Sequence, residues 1–396
     1  MTNPDPIVIV GGARTPMGGF GGDLKAVAAP ELGAVAIGEA LDRAGVAPDD
    51  VDEVIMGVVL AAGMRQAPAR QASRGAGIPD ATGCTTINKM CGSGMKATMM
   101  GHDAILAGSA DITVVGGMES MSNCPYLLTK ARDGYRMGNG EIFDHMFIDG
   151  LEDAYDRGKL MGNYAEDTAQ HYQFTREAQD EFAITSLTRA QAAINDGTFA
   201  KEIKPVTVKS RKGDTVVEID EQPFKANLEK IPTLRPAFAK DGTVTPANSS
   251  SISDGGAALV LMKRSEADRR GLTPLAVIHG HASHAQEPAW FTTAPIGAMQ
   301  KLLDRVGWTV GEVDLFEINE AFAVVTMAAM RDLDIPHDKT NVHGGACALG
   351  HPVGASGARI IVTLMNALEK YDQKTGVASL CIGGGEATAV AIERLT

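Results

Sequence analysis

One stretch of this chain occurs twice. LDRAGVAPDDVDEVIMG begins at Leu41 and LDRVGWTVGEVDLFEIN at Leu303, 262 positions apart (303 − 41), with leucine, aspartate, arginine, glycine, valine and aspartate in the same places. Each copy reads as a helix end, a glycine stop at Gly45 or Gly307, an acidic turn and an apolar strand. Such a chain is constrained to two related halves. Apolar strands alternate with amphipathic helices, as in a strand from Ile7 to Val10, a helix near Leu32 to Arg43 and a strand near Val54 to Val58. That order predicts α/β layers with a mostly parallel sheet. Residues 121–248 break the repeat and read as an insertion. It holds a polar helical pattern from Ala165 to Asn195, interrupted near Phe174 and Thr175 and stopped by Gly197. Insertions on such scaffolds often cover a ligand.

The duplication also organises the chemistry. Cys91 lies in NKMCGSGMK, and the same offset carried forward from it lands at position 353, inside the loop GGACALGHPVGASGAR that contains His351. DITVVGG from Asp111 resembles VASLCIGG from Val377, which puts Cys381 at the end of the second half's matching strand. Two sulfurs and an imidazole are thereby expected at one pseudo-twofold site between the halves. The surrounding glycines let backbone N–H groups approach a substrate oxygen closely, as acyl chemistry requires. A free thiol is only a few per cent thiolate at neutral pH, so Cys91 needs a base or a helix N-terminus. Gly92 to Gly94 lead into a predicted helix from Met95 to Leu106 whose positive end would favour the thiolate. The residues alone leave open a small buried cysteine and a packed histidine.

With 396 residues and 44% hydrophobic content, the chain can bury two domains or one duplicated domain. Apolar stretches such as Val54 to Ala62 and Ala257 to Met262 are too short to span a bilayer. MTNPDPIVIVGG has no basic leader and enters a strand almost at once. Five unevenly spaced cysteines do not make a disulfide framework, so a reducing compartment and a cytoplasmic location are expected. The net charge of −13 argues against nucleic-acid and anionic-membrane partners, and an anionic ligand would need a local basic patch. His279, His281 and His284 have metal-like spacing, but no acidic or cysteine partner is expected nearby, so no metal is expected. Gly11 and Gly12 lack the dinucleotide pattern, and Met95, Met99 and Met100 read as core.

Taken together in this order, CGSG at Cys91, GGMES at Gly116, NEAF at Asn319, GHPVGASGAR at Gly350 and CIGGG at Cys381 resemble the thiolase family from Ile7 to the C-terminus. The resemblance is to the acetyl-CoA C-acetyltransferase type. It implies a thiolase-like α/β fold: two duplicated βαβαβαββ halves, each with a mixed five-stranded sheet, in a layered αβαβα arrangement with an inserted loop domain. The expected division is 1–120 with 249–272 for the first half, 121–248 for the loop domain, which binds coenzyme A and makes oligomer contacts, and 273–396 for the second half.

For the chemistry, the resemblance implies Cys91 as nucleophile, His351 as its activator and Cys381 as the base that removes the proton alpha to a thioester carbonyl. His351 and a water held by Asn319 would serve one oxyanion, and the N–H groups of Cys91 and Gly383 the other. By residue type alone, Asn319 also reads as the cap of a helix beginning at Glu320. Lys225, Lys230 and Ser250 would contact coenzyme A, which comes and goes as substrate with no permanently bound cofactor. Leu160, Met161, Phe291 and Phe322 would line the acyl pocket. Leu160 stands where many biosynthetic relatives have histidine, and Phe291 where methionine is frequent, so acyl-chain preference stays open. His343 and Glu386 also depart from the pattern. The implied partners are acyl-CoA molecules and further copies of the chain in a homotetramer, a dimer of dimers. A broader-chain 3-ketoacyl-CoA thiolase is the nearest alternative. A ketoacyl synthase would use two histidines, and an inert acyl-CoA or lipid binding protein should have lost one of Cys91, Asn319, His351 and Cys381, all of which are present.

Overall fold

The computed structural model describes residues 4–396, so residues 1–3 of the segment expected to lack a leader lie outside the described residues. The first half runs β1 (Ile7–Arg14), α1 (Ala29–Ala44), β2 (Glu53–Gly57), α2 (Pro68–Gly75), β3 (Gly83–Ile87), α3 (Ser93–Ala107) and β4 (Ile112–Ser120). After an excursion that carries α4 (Met161–Tyr172) and α5 (Arg176–Asn195), it closes with β5 (Ser253–Lys263). The second half runs β6 (Ala276–Ala285), α6 (Ala294–Val306), β7 (Leu315–Ile318), α7 (Ala323–Leu333), α8 (Ser356–Lys370), β8 (Thr375–Ile382) and β9 (Glu386–Arg394). The glycine stops hold: α1 and α6 end on Gly45 and Gly307, both left-handed at φ 66° and 74°.

Strand order is β3-β2-β4-β5-β1 in the first half and β7-β8-β9-β6 in the second, the same order less one strand. The missing fifth strand is reduced to a single parallel bridge between Phe316 and Thr340. The sheet is mixed rather than mostly parallel, because only β2–β3, β2–β4 and β7–β8 are parallel pairs. The half-sheets join edge to edge where β1 pairs with β6 through Val8–Val277 and Ile9–Ala276. Even the irregularities are duplicated. Register slips at Gly11 in β1 and at Gly280 in β6, and a Cβ at Gly11 would lie 2.4 Å from the carbonyl oxygen of Ala40 on α1.

Alternation along the strands builds the layers. Val8, Val10, Val114, Val260 and Met262 face one way, onto α1 and α2, while Ile7, Ile9, Val115, Leu259 and Leu261 face the other, onto α3 and α8. From the opposite side Ala378, Leu380, Val390 and Ile392 meet the same two helices, and the outer face of the second sheet packs on α6 and α7. The result is αβαβα with α3 and α8 at the centre. These helices both start and end 263 positions apart (356 − 93 and 370 − 107), so the duplication survives at the middle of the molecule. They are apolar nearly all round, as a helix between two sheets must be. Met95 and Met99 are buried there as expected.

The polar helix pattern of the insertion resolves into α4 and α5. The break falls at Gln173, left-handed at φ 55°, and Thr175 caps α5 by accepting from Ala178 N. Arg14, fully buried at the end of β1, ties this segment to the sheet through Asp220 at 2.7 and 2.9 Å and Glu202 at 2.5 Å. Such a pair costs much to break, since either partner alone would be a buried charge.

Candidate active site

Cys91 sits on a sharp turn between the end of β3 and the start of α3. Met90 before it is left-handed at φ 48°, a conformation that a side chain adopts only where its surroundings enforce it. Here Asn88 Oδ1 accepts from Met90 N at 2.9 Å, and Ser93 Oγ accepts from Lys89 N at 2.9 Å while donating to Met90 O at 2.6 Å. Lys89 pairs with Glu386 at the start of β9, which gives the unexplained Glu386 a place: it anchors the nucleophile's turn to the second half.

Cys381 is the penultimate residue of β8, and Gly384 and Gly385 after it are left-handed at φ 93° and 89°. This bend aims the Gly383 N–H at the Cys91 sulfur, where Cys91's own N–H also points. Two amide donors thus converge on one point. His351 follows Gly350, at φ 100°, and its N–H is held by Ser251 O at 3.1 Å. The loop beyond it is fastened by Glu119 of β4, whose carboxylate accepts from Val59 N at 2.9 Å, Leu60 N at 3.2 Å and Gly354 N at 3.0 Å. Burial pushes Glu119 up to about 7 against those three donors. Neither Glu119 nor its role was foreseen, although GGMES carried the residue.

The imidazole's Nδ1 lies 2.6 Å from Ser356 Oγ and 3.4 Å from Asn319 Nδ2. Ser356 also reaches Pro352 O at 3.0 Å. When its hydroxyl donates there, it accepts the Nδ1 proton and leaves Nε2 with a free lone pair; turned to Nδ1, it leaves Nε2 as the donor. Nε2 is buried and bonds to no protein group, so both states present it to a reactant. Asn319 does not cap a helix, because α7 begins only at Ala323 with Phe322 as its cap. Its Oδ1 accepts from Arg359 Nη2 at 3.3 Å, and with 1% exposure it stands behind His351.

A cavity of about 380 Å³ opens onto Cys91, His351, Gly383 and Ser250. Leu160, Met161, Phe291 and Phe322 form its apolar wall, joined by Phe147 and Phe238. Cys381 lies one layer below, fully buried and packed in one cluster with Phe291 and Phe322. Ser250 is half-buried and its hydroxyl donates to Ala321 O at 2.9 Å. Lys225 and Lys230, both exposed, line a neighbouring groove that shares Pro246 and Ser251 with the cavity, and Lys225 is paired with Glu221.

The electrostatics correct one expectation. Burial pushes the Cys91 thiol up to about 11, with Glu119 adding to the effect, and the amides of Gly383 and Cys91 oppose it without winning. His351 is pushed down to about 3 by burial and by the nearby Arg359. The helix end therefore does not hold a standing thiolate; the resting pair is neutral thiol and neutral imidazole. Cys381 is raised well above the ordinary range by burial and then by Cys91. His281 also departs from expectation, because it has an acidic partner, Asp103, 178 positions away. His343 is buried against Phe199 and Tyr371 with neither ring nitrogen bonded.

Comparison with known proteins fits this geometry. The family model "Thiolase, N-terminal domain" matches residues 7–265 and "Thiolase, C-terminal domain" matches residues 272–394. The acetyl-CoA acetyltransferase of Cupriavidus necator is 50% identical over 390 residues, covering 98% of this chain and 99% of its own. Acetyl-CoA acetyltransferase 2 of Arabidopsis thaliana is 50% identical over 397 residues, covering 99% and 98%. The crystal structure of the Bacillus anthracis acetyl-CoA acetyltransferase superposes with a TM-score of 0.96 at 42% identity, covering 99% of both chains.

Proposed function

The chain belongs to the thiolase family, and from that premise we propose that it is an acetyl-CoA C-acetyltransferase. It is an acyltransferase that joins two acetyl-CoA into acetoacetyl-CoA and free coenzyme A, or runs the reverse thiolysis. One observation carries the assignment of roles: a thiol with two amide donors at its sulfur and an imidazole with an unpartnered Nε2 face one cavity, with a second thiol beneath them.

In condensation, His351 Nε2 takes the Cys91 proton as the sulfur bonds to the acetyl carbonyl carbon. The same nitrogen returns the proton to the departing coenzyme A sulfur. Because both groups rest neutral, attack and proton transfer are coupled. The Gly383 and Cys91 N–H groups hold the acyl oxygen as it gains charge, each worth a few kcal/mol. His351, turned to its Nε2–H form through Ser356, donates to the oxygen of the second thioester, and Asn319 steadies the ring. In condensation the Cys381 thiol first passes its proton to the freed His351. Its thiolate then takes the proton alpha to that carbonyl, and the imidazolium reprotonates the Cys91 sulfur expelled as the carbon–carbon bond forms. In thiolysis the steps reverse, and the Cys381 thiol protonates the departing acetyl-CoA carbanion.

Coenzyme A enters along the groove of Lys225 and Lys230, local cations on an otherwise acidic protein, past Pro246 and Ser251 into the cavity that Ser250 lines. The division into 1–120 with 249–272, 121–248 and 273–396 is retained as part of this reading, as are a homotetramer and a reducing cytoplasm. No helix among the described residues is long and apolar enough to cross a membrane, and all five cysteines are free.

The test follows acetoacetyl-CoA consumption with and without free coenzyme A. Loss should require coenzyme A and vanish in Cys91→Ala. Cys381→Ala should still accumulate acetyl-Cys91 from acetyl-CoA, seen by intact mass, but fail to condense; absence of the acetyl-enzyme there would overturn the division of roles.

A further inference from the structure

We propose that His102, Asp103 and His281 form a binding site for a divalent transition-metal ion of the zinc class, on the opposite end of α3 from the nucleophile. Three donor atoms, one from each residue, lie within 4.8 Å of one another. Asp103 Oδ1 stands between the rings, 3.2 Å from His102 Nδ1 and 2.9 Å from His281 Nε2. The rings meet edge to face, their centroids 5.1 Å apart at 88°.

Coordination bonds of about 2.0–2.2 Å place neighbouring donor atoms roughly 3–3.5 Å apart, so an ion needs only small side-chain shifts here. Two imidazoles and one carboxylate suit zinc, cobalt or nickel rather than calcium or magnesium, which want oxygen donors. Water would complete the shell. Exposure is arranged for entry: the two histidine side chains are 11% and 13% exposed while Asp103 is 56% exposed. The other ring nitrogen of His281, Nδ1, is buried and bonds to nothing, so it is free to carry the proton once Nε2 is given to an ion. Arg305 is the nearby cation, spent on the carbonyl oxygen of His281 at 2.5 Å. His279 is paired with Glu393 and His284 with Gln286, so neither belongs to the site.

His102 and Asp103 lie on α3 of the first half and His281 on β6 of the second. A bound ion would tie together the two halves between which Cys91, His351 and Cys381 are assembled.

The test is a cobalt titration of the chelator-treated full-length protein, followed by equilibrium dialysis and visible absorption. One cobalt ion per chain with weak ligand-field bands and no thiolate charge-transfer band is expected. This binding should persist in His279→Ala and Cys91→Ala and be lost in His281→Ala and in Asp103→Asn, whose circular dichroism should match the parent. Zinc should raise the Tm of the parent by a few degrees and leave that of Asp103→Asn unmoved. No stoichiometric binding, binding unchanged in both His281→Ala and Asp103→Asn, or a thiolate band abolished by Cys91→Ala would each overturn the proposal.

Discussion

Ser356 Oγ lies 2.6 Å from His351 Nδ1, while the same hydroxyl reaches Pro352 O at 3.0 Å. One rotation of that hydroxyl decides which nitrogen of the imidazole holds the proton, and with it whether His351 acts as base or as donor. Ser356→Ala should lower kcat by about 10–100-fold, roughly 1.4–2.7 kcal/mol, with KM little changed. Rapid-quench measurement of acetyl-Cys91 formation should show the same deficit; a variant slowed only through KM would contradict the role.

The Cys91 thiol gives a pH prediction whose sign is fixed by its raised value of about 11. Iodoacetamide reacts with thiolate, and a raised value means the folded protein keeps its proton through neutral pH. Alkylation of Cys91, located by peptide mass spectrometry, should therefore climb about tenfold per unit of pH without a plateau at or below about pH 9, where an ordinary cysteine is largely ionised. A plateau below that point would show a standing thiolate.

Gly357 and Gly38 should respond to alanine with opposite sign. A Cβ at Gly357 would sit 2.4 Å from Met95 N, in the backbone contact between α8 and α3, whereas one at Gly38 on α1 meets nothing within 4 Å. Gly357→Ala should destabilise by about 1–3 kcal/mol or more, because neither backbone can yield alone. Gly38→Ala should stabilise by about 0.5–1 kcal/mol through helix propensity. Urea midpoints of the two variants check both.

Phe291 is 2% exposed and forms part of the cavity wall. Phe291→Ala should move preference toward longer chains, raising kcat/KM for 3-ketohexanoyl-CoA relative to acetoacetyl-CoA by roughly tenfold, since each newly housed methylene is worth about 0.8 kcal/mol. A chain-length series with an unchanged ratio would place the length limit elsewhere, with Leu160 the next residue to vary.

Much of this molecule was legible in the order of its residues. The repeat at Leu41 and Leu303 foretold two halves and their glycine caps, because helix ends and alternating strands are written in local patterns of apolar residues and glycine. Of the clustered motifs, Cys91, His351 and Gly383 line one cavity, with Cys381 buried beneath it. Other features have no local signature. Thr340 makes one bridge where the first half has a whole strand, and Asn319 reads as a cap but spends its amide on Arg359 and His351.

The sequence by itself determined the two-fold plan and the family, since both are set by which residues stand next to which along the chain. Only the tertiary structure decided that Cys91 rests as a thiol, that Glu386 holds Lys89 across 297 positions and that His281 meets Asp103 across 178. Burial and distant charge set those outcomes, and both arise only when segments remote in the chain are packed against one another.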